Sequence, residues 1–184
     1  MISEKERIPV TGTIKLDIGG GSNKRDSDFT SVDIKDGDVT AEMWDLPFDD
    51  NTIDFIWSSH ALEHVGIYKI SSTLKEWFRV LKPNHQAIVQ VPNFDYVAKY
   101  WFTGPDRAWA EAMIFGMQTD DGQFHKCAFT SASLRADLEA AGFEVKRVEM
   151  RWSHSQETLQ AVCIKPNTPT GAVCLAENPA DNLT

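Results

Sequence analysis

A chain of 184 residues with 42% hydrophobic and 24% charged side chains is long enough for one domain whose core needs no disulfide or metal staple. Its formal net charge of −9 argues against an extended nucleic-acid surface or an anionic-membrane surface. Three cysteines, Cys127, Cys163 and Cys174, form no CxxC pair, which points to reduced thiols in a cytoplasmic setting rather than a disulfide framework or zinc site.

Residues 1–13 are polar, lack an apolar signal segment and read as a surface segment ahead of the first strand; no run is long enough to span a membrane. Ile14 to Ile18 is an apolar run that reads as a short buried strand and ends in Gly19-Gly20-Gly21. Glycines there let the chain turn sharply and let a ligand lie against bare backbone, with the Asp17 carboxylate just before the turn. Ser22 to Phe29 leaves room for barely two helical turns, whereas a parallel crossover normally takes about a dozen residues, so this one must be compact or irregular. Thr30 to Ile34 is the second strand-like piece. Its acid, Asp33, is well placed to accept from both hydroxyls of a ribose.

Val39 to Met43 can form a third strand, followed by the turn Leu46-Pro47-Phe48-Asp49-Asp50-Asn51. Ile53 to Ser59 reads as the fourth strand and leads into His60-Ala61-Leu62-Glu63-His64. Glu63 and His64 read as helix-start residues, since acids suit a helix N-terminus. Leu-Glu-His is not His-Glu-x-x-His, so no metal site is expected. Ile67, Ile70, Leu74, Trp77, Phe78 and Leu81 recur at helical spacing as a core-facing stripe, which Lys82-Pro83-Asn84 stops. Gln86 to Val91 is the fifth strand.

Residues 94–126 break the rhythm with Tyr96, Tyr100, Trp101, Phe102, Trp109, Met113, Phe115 and Phe124, interrupted by Gly104-Pro105, Gly116 and Gly122. This insert suits a lid over a second substrate, because loops at strand C-termini build α/β sites. Pairs such as Tyr96-Tyr100 and Trp109-Met113 equally suit a helical hairpin packing its aromatics inward. Thr130 or Ser131 can cap a helix carrying Leu134 and Leu138 and ending at Gly142. Phe143 to Met150 and Thr158 to Ile164 read as a final strand pair around a loop at Trp152 to Gln156. Residues 166–184 lack apolar periodicity and read as a disordered tail.

Asp17-x-Gly19-x-Gly21, Asp33, Glu42-Met43 ahead of Leu-Pro-Phe, and the run Thr-Ile-Asp-Phe-Ile-Trp-Ser-Ser-His-Ala-Leu-Glu-His-Val together resemble the class I S-adenosylmethionine-dependent methyltransferases of small-molecule type. His-Lys-x-x-Phe-Thr and Leu-Glu-Ala-Ala-Gly-Phe resemble the closing helix and sixth strand of the same group. The resemblance spans residues 14–165. It implies a doubly wound α/β fold, Rossmann-like, with a seven-stranded, mostly parallel sheet and a helical insert after strand 5. It also implies S-adenosylmethionine as cofactor. Gly19, Gly20 and Gly21 would admit its methionine part, with Asp17 orienting that end. Asp33, with Ile34 beside it, would hold the ribose. Glu42 and Met43 would flank the adenine, with Asp45 competing for the acid's role and a surface acid as the plain alternative. Ser59 and His60 would border the sulfonium.

An oxygen or nitrogen acceptor must lose a proton, and His60 and His125 are the candidate bases; each is also readable as a structural histidine satisfied by its neighbours. Ser-Ser-His-Ala replaces the Asn/Asp-Pro-Pro-aromatic motif that holds an amide or exocyclic amine in amino-methyltransferases, and no extra basic or zinc module is there to recruit DNA or RNA. A small-molecule acceptor, such as a sugar or other metabolite, is therefore expected, with a protein acceptor as the alternative. A nicotinamide dehydrogenase would want a third glycine where Lys24 stands, and a helix N-terminus for a pyrophosphate. The remaining alternative is a non-catalytic member of the methyltransferase fold that binds the cofactor in a regulatory role.

Overall fold

The computed structural model describes residues 7–153 and 156–167, without the side chains of Asp121 and Ser153. Seven strands form one sheet: β1 (Lys15–Ile18), β2 (Phe29–Asp33), β3 (Val39–Thr40), β4 (Ile53–Ser59), β5 (Leu81–Pro92), β6 (Glu144–Ser153) and β7 (Gln156–Ile164). Their order is β3-β2-β1-β4-β5-β7-β6. The pairs from β3 to β5 are parallel, and β7 runs antiparallel between β5 and β6. This is the expected architecture, with the strand order reversing beside β1. Such a switch point opens a crevice at the strand C-termini.

The register explains the core. Leu16, Ile56, Ala87 and Cys163 fall in one cross-strand row, and all are fully buried. Against this face pack helix α1 (Ile70–Val80), through Leu74, Trp77 and Val80, and helix α4 (Ser131–Ala140), through Leu134 and Leu138. Edge-on contact of Phe78 with Phe143, ring centroids 5.2 Å apart, joins the two layers. Thr130 caps α4 by a reciprocal capping box with Ser133.

The opposite face is different. A right-handed crossover from β1 to β2 would pass over the side away from α1. Here residues 19–28 contain no helix, only turns. The row Asp17, Trp57, Ile88 and Val162 lies on that side, and the guanidinium of Arg25 sits 3.6 Å from the Trp57 ring centroid in place of a helix.

Several expectations shift. The third strand is only Val39–Thr40, because Asp45 N–H closes a turn onto the Glu42 carbonyl (2.9 Å); Glu42 and Met43 therefore lie in a loop. Ile34 falls beyond β2 and is largely exposed. Ile67 and Tyr68 start a 3₁₀ turn (Ile67–Lys69) before α1, and this change of helical phase turns Ile67 outward, 66% exposed rather than core-facing. Leu81 belongs to β5, not to the helix, and residues 82–85 bulge out of the strand with Asn84 in the left-handed region (φ 63°). The final strands extend to Ser153 and from Gln156, and residues 154–155 lie outside the description.

The insert is a helical hairpin, α2 (Phe94–Thr103) and α3 (Arg107–Phe115), with Asn93 and Asp106 as N-caps. It packs some aromatics together, as in the Tyr100–Trp109 contact at 4.6 Å, and leaves others, Phe102 and Phe115, exposed, as is Met117 just beyond α3. The segment expected at 1–13 is described only from residue 7, as mostly exposed coil, and the expected tail lies outside the described residues beyond 167.

Candidate functional site

The chain leaves β1 through Gly19 (φ 81°) and Gly21 (φ 55°), conformations open to glycine and strained for other residues. Gly19 N–H bonds the Val32 carbonyl (2.8 Å), and the Ser31 hydroxyl donates to the Gly21 carbonyl (2.6 Å), so β2 holds the turn in place. A methyl group at Gly19 would overlap that of Ala61, and one at Gly20 would collide with the Asp17 carboxylate. At Gly21 an added carbon would instead face Asp33 Oδ2 at 3.9 Å. Asp33 thus stands beside bare backbone, its Oδ1 taken by Lys35 N–H (3.0 Å).

Asp17 is buried and accepts the Arg25 N–H at 2.6 Å, closing the loop over β1. Burial pushes its carboxyl above the usual range, opposed by that hydrogen bond and the Arg25 charge. The structure therefore shows Asp17 bracing the turn. Met43, half-buried, is fixed by its carbonyl, which accepts from the Trp77 indole N–H (2.9 Å); Glu42 is exposed. Ser59 donates to Gln90 Oε1 (2.9 Å).

His60 has φ 53°, the left-handed region, which is costly for a residue with a Cβ and is held by its N–H bond to the Gln90 carbonyl (3.0 Å). Its ring lies 3.3 Å from Glu63 Oε1, 3.4 Å from Gln156 Nε2 and 3.4 Å from Thr158 Oγ1. Glu63 follows in a 3₁₀ turn (Leu62–His64) but is 1% exposed, and among the described residues neither carboxylate oxygen has a hydrogen-bond partner. Its backbone carbonyl accepts from Lys126 N–H (2.8 Å) and Cys127 N–H (3.3 Å), which brings the return loop of the insert alongside.

His125 arrives on that loop. Its Nδ1 lies 2.9 Å from the Met113 carbonyl, and His64 Nδ1 lies 3.0 Å from the Phe124 carbonyl. A carbonyl can only accept, so each Nδ1 carries the proton and each Nε2 is left for another partner. The two rings meet edge-on with centroids 4.9 Å apart. Burial lowers the His125 pKa below its ordinary value, against the raising influence of Glu63. The structure thus gathers the two candidate bases around Glu63, which the sequence offered only as a helix-start residue. What local sequence could have signalled is the acid–His pair at the end of a strand; burial of the acid depends on the insert folding back.

Glu63, Phe94, Met113, His125 and Cys127 line a small pocket between this turn and the insert. Burial and the nearby Glu63 charge push the Cys127 thiol up to about 12, so it is not a nucleophile at neutral pH. Lys35, just beyond Asp33, pairs with Asp120 of the insert at 3.3 Å. The insert therefore reaches across the strand ends to the glycine turn. Both partners are exposed, so the pair marks position more than stability.

Residues 16–89 match the model of a family described as a methyltransferase domain. Among solved structures, a SAM-dependent methyltransferase from Methanosarcina mazei is 20% identical, with 83% of this chain and 92% of that one covered and a TM-score of 0.60. Burkholderia thailandensis 1,6-didemethyltoxoflavin-N1-methyltransferase, with bound 1,6-didemethyltoxoflavin and S-adenosylhomocysteine, is 15% identical over 84% of this chain and 71% of its own, TM-score 0.57. Haemonchus contortus phosphoethanolamine N-methyltransferase 2, in complex with phosphomonomethylethanolamine and S-adenosylhomocysteine, is 13% identical over 86% and 50%, TM-score 0.53. No curated protein matches the sequence.

Proposed function

For a chain with the class I methyltransferase fold, we propose S-adenosylmethionine-dependent methyl transfer to an oxygen or nitrogen of a small-molecule acceptor. The observation that carries this is Asp33 standing 3.9 Å from the position a Cβ would take at Gly21, behind a positive-φ glycine turn at the C-terminal end of β1. Such a cradle fits the cofactor. Bare backbone at Gly19, Gly20 and Gly21 leaves room for its methionine part, and the Asp33 carboxylate can accept from two ribose hydroxyls, with Ile34 alongside. Met43 and Glu42 would flank the adenine, and Ser59 and His60 would border the sulfonium. Asp17 would act on the methionine end through the loop it braces.

The cofactor supplies a methyl group already activated on a sulfonium. What remains for the protein is to place the acceptor and shed water, and alignment of that kind lowers a barrier by around 7–11 kcal/mol. The insert, residues 94–126, is the acceptor lid: its exposed Phe102, Phe115 and Met117 and the Lys35–Asp120 bridge support this reading. His60 and His125 are the groups that could take the acceptor's proton. Residues 14–165 form the working domain. No helix among the described residues is long and apolar enough to cross a membrane. Thiols rather than disulfides at Cys127 and Cys163 suit a cytoplasmic enzyme.

Calorimetric titration with S-adenosylmethionine and S-adenosylhomocysteine, with NAD as control, tests the proposal. Micromolar binding of the sulfonium pair is expected. In Asp33→Ala it weakens by at least the ~1.5–3 kcal/mol of a hydrogen bond to a charged group. A folded mutant with unchanged affinity removes Asp33 from the site, and no binding by the wild type ends the methyltransferase reading. The missing β1–β2 helix favours a second reading, a cofactor-binding protein without turnover. Binding without methyl loss to any acceptor in a small-molecule screen would select it.

A further inference from the structure

The geometry points to a divalent metal site of borderline type, suited to Zn²⁺, Co²⁺ or Ni²⁺, formed by the Glu63 carboxylate and the Nε2 atoms of His64 and His125. One ligand atom from each of these three residues lies within 4.8 Å of the other two. A carboxylate that is 1% exposed and without a hydrogen-bond partner among the described residues is costly to bury unless something positive meets it. His60 Nδ1 approaches Oε1 at 3.3 Å but without hydrogen-bond alignment, and Oε2 is not reached.

Two features make a cation the fitting partner. Each histidine donates Nδ1–H to a main-chain carbonyl, Phe124 for His64 and Met113 for His125. This outer-shell arrangement fixes the tautomer and aims the Nε2 lone pair of a ligating imidazole. Two imidazoles and one carboxylate also form a ligand set that favours first-row divalent ions over magnesium or calcium, which prefer all-oxygen cages. Donors about 2.0–2.2 Å from an ion lie roughly 3–3.5 Å apart, so binding draws the three together by about 1 Å. Both histidines are half-buried and stand on a short turn and a return loop, which permits that adjustment and gives the ion a way in.

The site's position suggests its use. Ala61, two residues before Glu63, is the side chain that Gly19 packs against, so the cluster adjoins the glycine turn. An ion there would give Lewis acidity to an oxygen acceptor beside the transferred methyl, and would make His125 a ligand rather than a base. This goes beyond the methyltransferase reading, and metal binding is measured without cofactor or acceptor, so the two can fail separately.

The test uses the full chain, stripped with a chelator, dialysed, and titrated with Co²⁺, Zn²⁺ and Mg²⁺ by calorimetry and visible absorption. Expected are one Co²⁺ per chain with d–d bands, displacement by Zn²⁺, and no magnesium binding. Glu63→Gln, His64→Ala and His125→Ala should each weaken binding by at least the about 10–100-fold that loss of even an outer-shell partner costs. His85→Gln, away from the cluster, should leave it unchanged. Circular dichroism shows which variants fold, and Glu63→Gln, which keeps the side chain's volume, carries the test if a histidine variant does not. Absence of cobalt bands in folded wild type overturns the proposal. So does Co²⁺ affinity that survives all three substitutions, that falls equally in His85→Gln, or that magnesium matches.

Discussion

Asp17 braces the glycine turn from a buried position, and its burial ties stability to pH. Its folded-state pKa is raised by burial, so the folded chain holds a proton that the unfolded chain has already lost. Stability contributed by this residue therefore falls as pH rises from the ordinary aspartate range, about 3.9, through the raised folded value. Asp17→Asn keeps an acceptor for the Arg25 N–H and removes the ionisation. Its denaturant-unfolding free energy should gain on wild type as pH climbs through that window and hold the gain above it. A difference that shrinks with pH would contradict the burial argument. The turn at Gly19 and Gly21 and the place of Asp33 at the end of β2 were legible because glycine turns and strand-end acids are local signals. Glu63 was not, since what distinguishes it is contact with residues more than sixty positions away, at Lys126 and Cys127.

Elements were legible where periodicity was strong and blurred where a single hydrogen bond decides. β4 spans the residues expected, and α4 starts at the Thr130 cap as read. β3 is cut to two residues by the turn onto Glu42, and α1 starts three residues past Ile67 because a 3₁₀ turn comes first. Thr130→Ala should lower stability by about 1 kcal/mol through loss of the cap, read as a shift in urea midpoint at constant slope. Gly116 is more demanding. It ends α3 at φ 80°, pairs with Phe124, and a Cβ there would run into the Gln123 carbonyl. Gly116→Ala should destabilise by more than ~1–3 kcal/mol, the cost of that positive-φ, extended-ψ conformation alone (ψ 172°). Because His125 N–H bonds the Phe115 carbonyl (3.1 Å), it should also loosen cobalt binding, whereas Thr130→Ala should not.

At the scale of the whole molecule, the seven-stranded sheet with its single antiparallel strand follows the fold that the resemblance of the motifs implied; the apolar runs and helical stripes placed the elements along the chain but did not by themselves order the strands. Cys163 sits on β7 between β5 and β6, fully buried, its thiol pushed up to about 12. Alkylation at neutral pH followed by peptide mass mapping should find it unmodified in native protein and fully modified in denaturant. Modification at equal rates would mean that β5 and β7 do not pair as described.

The missing crossover helix has a consequence for time as well as shape. Ten residues, 19–28, cover the β1 face with turns, and among the described residues their main-chain N–H anchors to the sheet are Gly19 to Val32 and Arg25 to Asp17. Such a segment opens at a small fraction of the global unfolding free energy, so its amides should exchange with deuterium long before those of β1 beneath it. On the proposed function, a cofactor seated on Gly21 and Asp33 would then supply the ordering of the loop from its own binding energy. Its arrival should appear first as slowed exchange across residues 19–28, with β1 unchanged.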